Sequence, residues 1–63
     1  MYNVVIGTQN NEMLKTVISA LIEASFYKFL VDGNGIYFND EELEFYSVLQ
    51  EIAKENGAMC TNF

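Results

Sequence analysis

Between Phe26 and Asn39 the chain reads FYKFLVDGNGIYFN: two runs of aromatic and β-branched residues around Asp32-Gly33-Asn34-Gly35. Gly33 and Gly35 permit positive φ, and Asp32 and Asn34 are turn formers, so the stretch predicts a β-hairpin. The expected arms are Phe26 to Val31 and Ile36 to Asn39. Every other segment has to be arranged around that hairpin.

MYNVVIGT, residues 1–8, sets Tyr2, Val4 and Ile6 on one side and Asn3, Val5 and Gly7 on the other. That alternation is a strand pattern, and Gly7 ends it. A helix is expected over 11–25, capped by Asn10 or Asn11, whose side-chain oxygen can accept from a free backbone N–H. At 100° per residue, Met13, Leu14, Val17, Ile18, Ala20, Leu21, Ile22 and Ala24 form one apolar arc, with Glu12, Lys15, Thr16, Ser19 and Glu23 opposite.

After the hairpin, NDEELEFYSVLQEIAKE predicts a second amphipathic helix from Asn39 to Glu55. Asn39 with Glu42 forms a capping box, and Asp40, Glu41 and Glu42 fall in the first turn, where the helix dipole favours negative charge. Leu43, Phe45, Tyr46, Val48, Leu49, Ile52 and Ala53 make its apolar arc, and Gly57 is a natural stop. The tail AMCTNF is either a brief edge strand or a frayed end.

The order is β-α-β-β-α with a possible final β, in one domain spanning residues 1–63. A right-handed β-α-β crossover combined with the hairpin gives an α+β fold. Its expected sheet is antiparallel, in the order 1-3-2, with two helices on one face. A paired tail would make the arrangement ferredoxin-like. An unpaired tail would leave strand 1 as a bare edge, and a bare edge invites another chain. This favours a homodimer, or a partner that adds to the sheet.

Sixty-three residues bury a limited core, and domains of this size lean on disulfides, metals or partners. The single cysteine, Cys60, rules out an intrachain disulfide, and the absence of His leaves too few ligands for a structural zinc site. A hydrophobic fraction of 51% leaves a packed core or self-association as the source of stability. The net charge is −6, and the three cations are Lys15, Lys28 and Lys54. Phosphate neutralisation by Lys and Arg dominates nucleic-acid affinity, so direct nucleic-acid binding is excluded as an expectation. Anionic membranes and phosphorylated ligands are disfavoured in the same way, and a basic protein surface is the expected partner. There is no signal-peptide pattern, and the longest mostly apolar stretch, Val17 to Ile22, is too short to span a bilayer. With a lone cysteine, these features give a cytoplasmic expectation, in the cell of origin or in a host.

No constellation for catalysis emerges. A nucleophilic Ser or Cys needs a tuning base, and there is no His. Carboxylate pairs need a desolvated pocket to raise one pKa, and most of these acids fall on a solvent-facing arc. The stretch DGNGIYFNDEE offers Asp32, Asn34 and Asp40 as oxygen donors but misses the calcium-loop spacing. Gly7 precedes a helix, yet GTQNN carries neither a P-loop nor a dinucleotide pattern. No enzyme activity, metal or cofactor is expected.

The acids of the second helix remain. On its wheel Asp40, Glu44, Glu51 and Glu55 fall within about 60° of each other, with Lys54 at the margin and Glu41 further round; they would spread over roughly 22 Å of axis. Such a row can imitate a phosphate backbone and occupy a nucleic-acid-binding groove on another protein, or it can simply keep a small apolar domain soluble. Tyr27, Phe29, Tyr37 and Tyr46 are the candidate apolar anchors beside it, because interface hot spots favour Tyr. In size, acidity and lack of a catalytic kit the chain resembles small phage-encoded proteins that bind and inhibit host enzymes or defence systems. The resemblance implies an inhibitory interaction module. The alternative is a self-associating structural or regulatory homodimer.

Overall fold

The computed structural model describes residues 1–63. Its elements are β1 (Val4–Gly7), α1 (Asn11–Glu23), β2 (Leu30–Asp32), β3 (Gly35–Phe38), α2 (Tyr46–Glu55) and β4 (Met59–Asn62). The four strands form one antiparallel sheet in the order β2-β3-β1-β4. This corrects the three-strand order 1-3-2. The tail is a strand, and it pairs along the side of β1 that a shorter sheet would leave bare.

Alternation along the strands explains the two layers. Val4 and Ile6 of β1, Ile36 and Phe38 of β3, and Cys60 of β4 are buried, while their neighbours in sequence are not. These five side chains share one cluster with Val17 and Leu21 of α1 and Leu49 and Ala53 of α2, so both helices cover the same sheet face. The six largest of those fully enclosed are Ile6, Leu21, Ile36, Leu49, Val4 and Val17. Each contributes about 1.5–3 kcal/mol by leaving water.

The cap of α1 is Asn10, whose Oδ1 accepts from the Met13 N–H at 2.8 Å. Both helices end in the same six-residue device. Past α1, Ser25 N–H donates to the Ile22 carbonyl and Phe26 N–H to the Leu21 carbonyl. Past α2, Gly57 N–H donates to Lys54 and Ala58 N–H to Ala53. This Schellman closure needs a left-handed residue just after the helix. Gly57 supplies it at φ 76, whereas Ser25 adopts φ 68 against the cost of its Cβ.

Two expected boundaries move. The first hairpin arm shortens from Phe26–Val31 to Leu30–Asp32, because the closure of α1 turns Phe26 back toward the core. There Phe26 meets Phe45 edge-on, at a centroid separation of 5.7 Å. The two-residue loop is Gly33-Asn34, with positive φ at Gly33 alone, as a type II′ connection requires. The second helix starts at Tyr46 rather than Asn39, and its expected capping box does not form.

Candidate functional site

Residues 39–45 are a tethered turn where a helix was expected. Asp40 is the reason. Its carboxylate is buried, with Oδ1 accepting from the Glu44 N–H at 2.9 Å and Oδ2 from the Phe45 N–H at 3.0 Å. Its carbonyl accepts from the Leu43 N–H at 2.9 Å. The backbone of Asp40 is itself held by the Asn3 side chain. Asp40 therefore spends its side chain on shaping the turn, which corrects its assignment as a surface charge for a partner.

The turn forces Leu43 to φ 52, a left-handed conformation in a bulky residue. Such backbone costs about 1–2 kcal/mol and persists only where the surroundings over-determine it. Here the three bonds from the backbone to Asp40 do so. Glu41, Glu42 and Glu44 are all exposed on this rigid turn.

Beside the turn lies an open pocket of about 510 Å³. Phe26, Tyr27, Phe38, Phe45 and Leu49 wall it, and Lys28 and Asp40 are its charged lining residues. The exposed acids thus sit between two residues of the pocket wall, Asp40 and Phe45. Tyr27 is 69% exposed and Phe45 48%. This volume lies in the range of pockets that seat a small ligand or an anchoring side chain. No three Cys, Asp or Glu side chains converge in a way that could hold a metal ion.

The expected partner-binding residues are dispersed. Glu41, Glu44 and Tyr27 lie at the turn and its pocket. Glu51 and Glu55 remain together on α2, one turn apart, with Lys54 between them. Glu51 and Lys54 line a separate shallow depression against β4. Phe29 is half-buried against Phe38, with centroids 5.8 Å apart. Tyr46 is half-buried in the first turn of α2, and Tyr37 stands on the helix-free face of the sheet. The continuous four-acid stripe of Asp40, Glu44, Glu51 and Glu55 does not exist, because only the last two are on the helix. The pocket wall formed by Phe26, Phe38 and Phe45 was missed by sequence reasoning. Its one local signal is the cluster of aromatics at both ends of the hairpin.

Cys60 is buried on β4. Desolvation, and secondarily the negative charge of Asp40, push its thiol up to about 11, so it is a protonated core group at neutral pH.

No helix is long and apolar enough to cross a membrane. No known protein family matches the sequence, and no curated protein or solved structure matches it either.

Proposed function

We propose that this chain is a non-catalytic interaction module that binds and inhibits a larger protein through a basic surface. The observation that carries the reading is the juxtaposition of three exposed carboxylates, Glu41, Glu42 and Glu44, with an apolar pocket of about 510 Å³ on a turn already held rigid. A pre-ordered turn loses little entropy on binding. The acids supply steering and register toward Lys and Arg, and the pocket takes one apolar anchor from the partner. A nucleic-acid-handling or defence enzyme of a host cell fits that chemistry, since its working groove is basic. Mimicry of a nucleic acid is the narrower version, and it now rests on the turn acids together with Glu51 and Glu55. The module would act in the cytoplasm alongside its target. The β-α-β-β-α-β order with β1 and β3 central supports a ferredoxin-like reading of the fold.

The test is capture of a partner by the tagged protein across a salt series. It would run beside a Glu41→Gln, Glu42→Gln, Glu44→Gln variant and a Glu51→Gln, Glu55→Gln variant, each matched for folding by circular dichroism. Capture that weakens steeply with salt and is lost in the turn variant supports the reading. A salt-insensitive complex, or one unchanged by the turn variant, overturns it.

A further inference from the structure

The sheet face turned away from the helices has no second layer. Strand register sets its occupants. Val5, Leu30, Tyr37 and Thr61 form one row across the sheet, and Gly7, Asp32, Gly35 and Met59 form the next. Phe63, just past β4, meets Tyr37 edge-on at 6.2 Å, so an aromatic pair reaches across β1. The Tyr37 ring also lies over Gly35, where a Cβ would come within 2.9 Å of it. The result is a largely apolar platform, with Met59 74% and Phe63 68% exposed.

Charge is distributed unevenly between the two layers. Of the nine carboxylates, Asp32 is the only one on a strand, at the hairpin end of the platform. The three Lys and the other eight acids lie on the helices and connecting segments. One side of the molecule is therefore acidic and the other nearly neutral.

We propose that the platform docks a second copy of the same chain, sheet against sheet, about a two-fold axis. Two molecules of net charge −6 repel each other, and the platform is the face that brings them together with the fewest carboxylates in contact. A basic partner would find one carboxylate there, and an anionic partner would find no Lys. A near-neutral apolar surface is instead complementary to itself, as a two-fold contact requires. The size is adequate. Four strands about 4.8 Å apart, of three or four residues at about 3.3 Å each, make a platform of roughly 15 by 13 Å, which Phe63 extends past the end of β4. With side-chain relief the pair would bury on the order of 1,000 Å², the lower bound for a specific interface. Need points the same way, because only 10 of 63 residues are buried in the single chain. The acidic turns stay on the outer surfaces, so this contact is independent of partner binding by Glu41, Glu42 and Glu44.

The experiment is sedimentation equilibrium of the native chain from low to high micromolar concentration, beside a Leu30→Asp, Met59→Asp variant. Both substituted side chains are substantially exposed, and circular dichroism and melting temperature confirm the fold. The native mass should rise from 7.2 kDa toward twice that value. Its dissociation constant should fall on the order of tenfold or more from low to physiological salt, as screening removes the repulsion. The double variant should stay monomeric throughout. A native chain that remains monomeric overturns the proposal. So does a dimer that survives in the folded variant, since its contact would then lie on a strand edge or the helical layer.

Discussion

Asn3 and Asp40, separated by 37 positions, bond to each other twice. The Asn3 amide donates to the Asp40 carbonyl at 2.9 Å, and the Asp40 N–H donates to Asn3 Oδ1 at 2.7 Å. The side chain of one thus continues the β1–β3 ladder past the point where backbone pairing stops, and it delivers Asp40 to the base of the 39–45 turn.

Removing either partner should loosen that turn. Asp40→Ala leaves the Glu44 and Phe45 N–H groups without acceptors and should cost about 3 kcal/mol; Asp40→Asn, which keeps one acceptor oxygen, should cost less. Asn3→Ala should cost about 1–2 kcal/mol. Urea denaturation of the three variants checks the order, and an Asp40→Ala protein as stable as the native chain would refute the anchoring role.

The two helix ends offer a matched pair of changes. Ser25→Gly should stabilise by about 0.5–1 kcal/mol, because glycine adopts the left-handed position without Cβ strain. Gly57→Ala should destabilise by about 1 kcal/mol for the same reason. Shifts of the same sign in both denaturation midpoints would contradict the shared closure.

Leu43→Gly separates strain from packing. The relief of positive φ and the loss of a side chain already 40% exposed should nearly cancel, leaving stability within about 1 kcal/mol of native. Partner affinity should fall, since the turn loses its fixed shape. A loss above about 2 kcal/mol in thermal or urea unfolding would show that Leu43 packs more than it strains.

Alkaline conditions should weaken the fold through Cys60. Its folded value is raised to about 11 from an ordinary 9.0. Between those two values the unfolded chain has lost the thiol proton that the folded chain keeps. Stability therefore falls as pH rises through that window and is unaffected by this group below it. Comparing native protein with Cys60→Ala at neutral pH and near pH 10 isolates the effect, because the two proteins differ at that one group alone. The difference between the two proteins should shrink at the higher pH. A thiol reagent should modify Cys60 only as fast as the chain opens.

Most of the fold was readable wherever a pattern depends on local chemistry. The order of elements, the Asn10 cap, the Gly57 stop and the glycine turn at Gly33 follow from residues acting on their own backbone. The tail alternates, but four residues could equally be a frayed end; its pairing with β1 and the burial of Cys60 come from the long-range register. The turn was not readable, because Asn39-Asp40-Glu41-Glu42 satisfies the requirements of a helix start. What decides against it is Asn3, whose pairing with Asp40 is long-range and leaves no mark in the local pattern. The same miss placed Leu43 and Phe45 on the apolar arc of the second helix, where the structure leaves them on the turn, 40% and 48% exposed. It also drew a charge stripe through residues that never share a helix. The shortened hairpin has a similar origin: Ser25 in a glycine position concealed the chain reversal at Phe26.

The first strand lies between the third and the last, and the Phe63 N–H closes the seam by donating to the Asn3 carbonyl at 2.8 Å. During synthesis β1 emerges early but must wait for β4 before both its sides are paired. Until Met59–Asn62 is free to pair, only the side of β1 facing β3 can be covered, and the other side is an open edge. Pairing with β4 spans more than fifty residues of chain, so it closes the largest loop in the sheet, and a molecule in which it has opened exposes a sticky, half-built sheet.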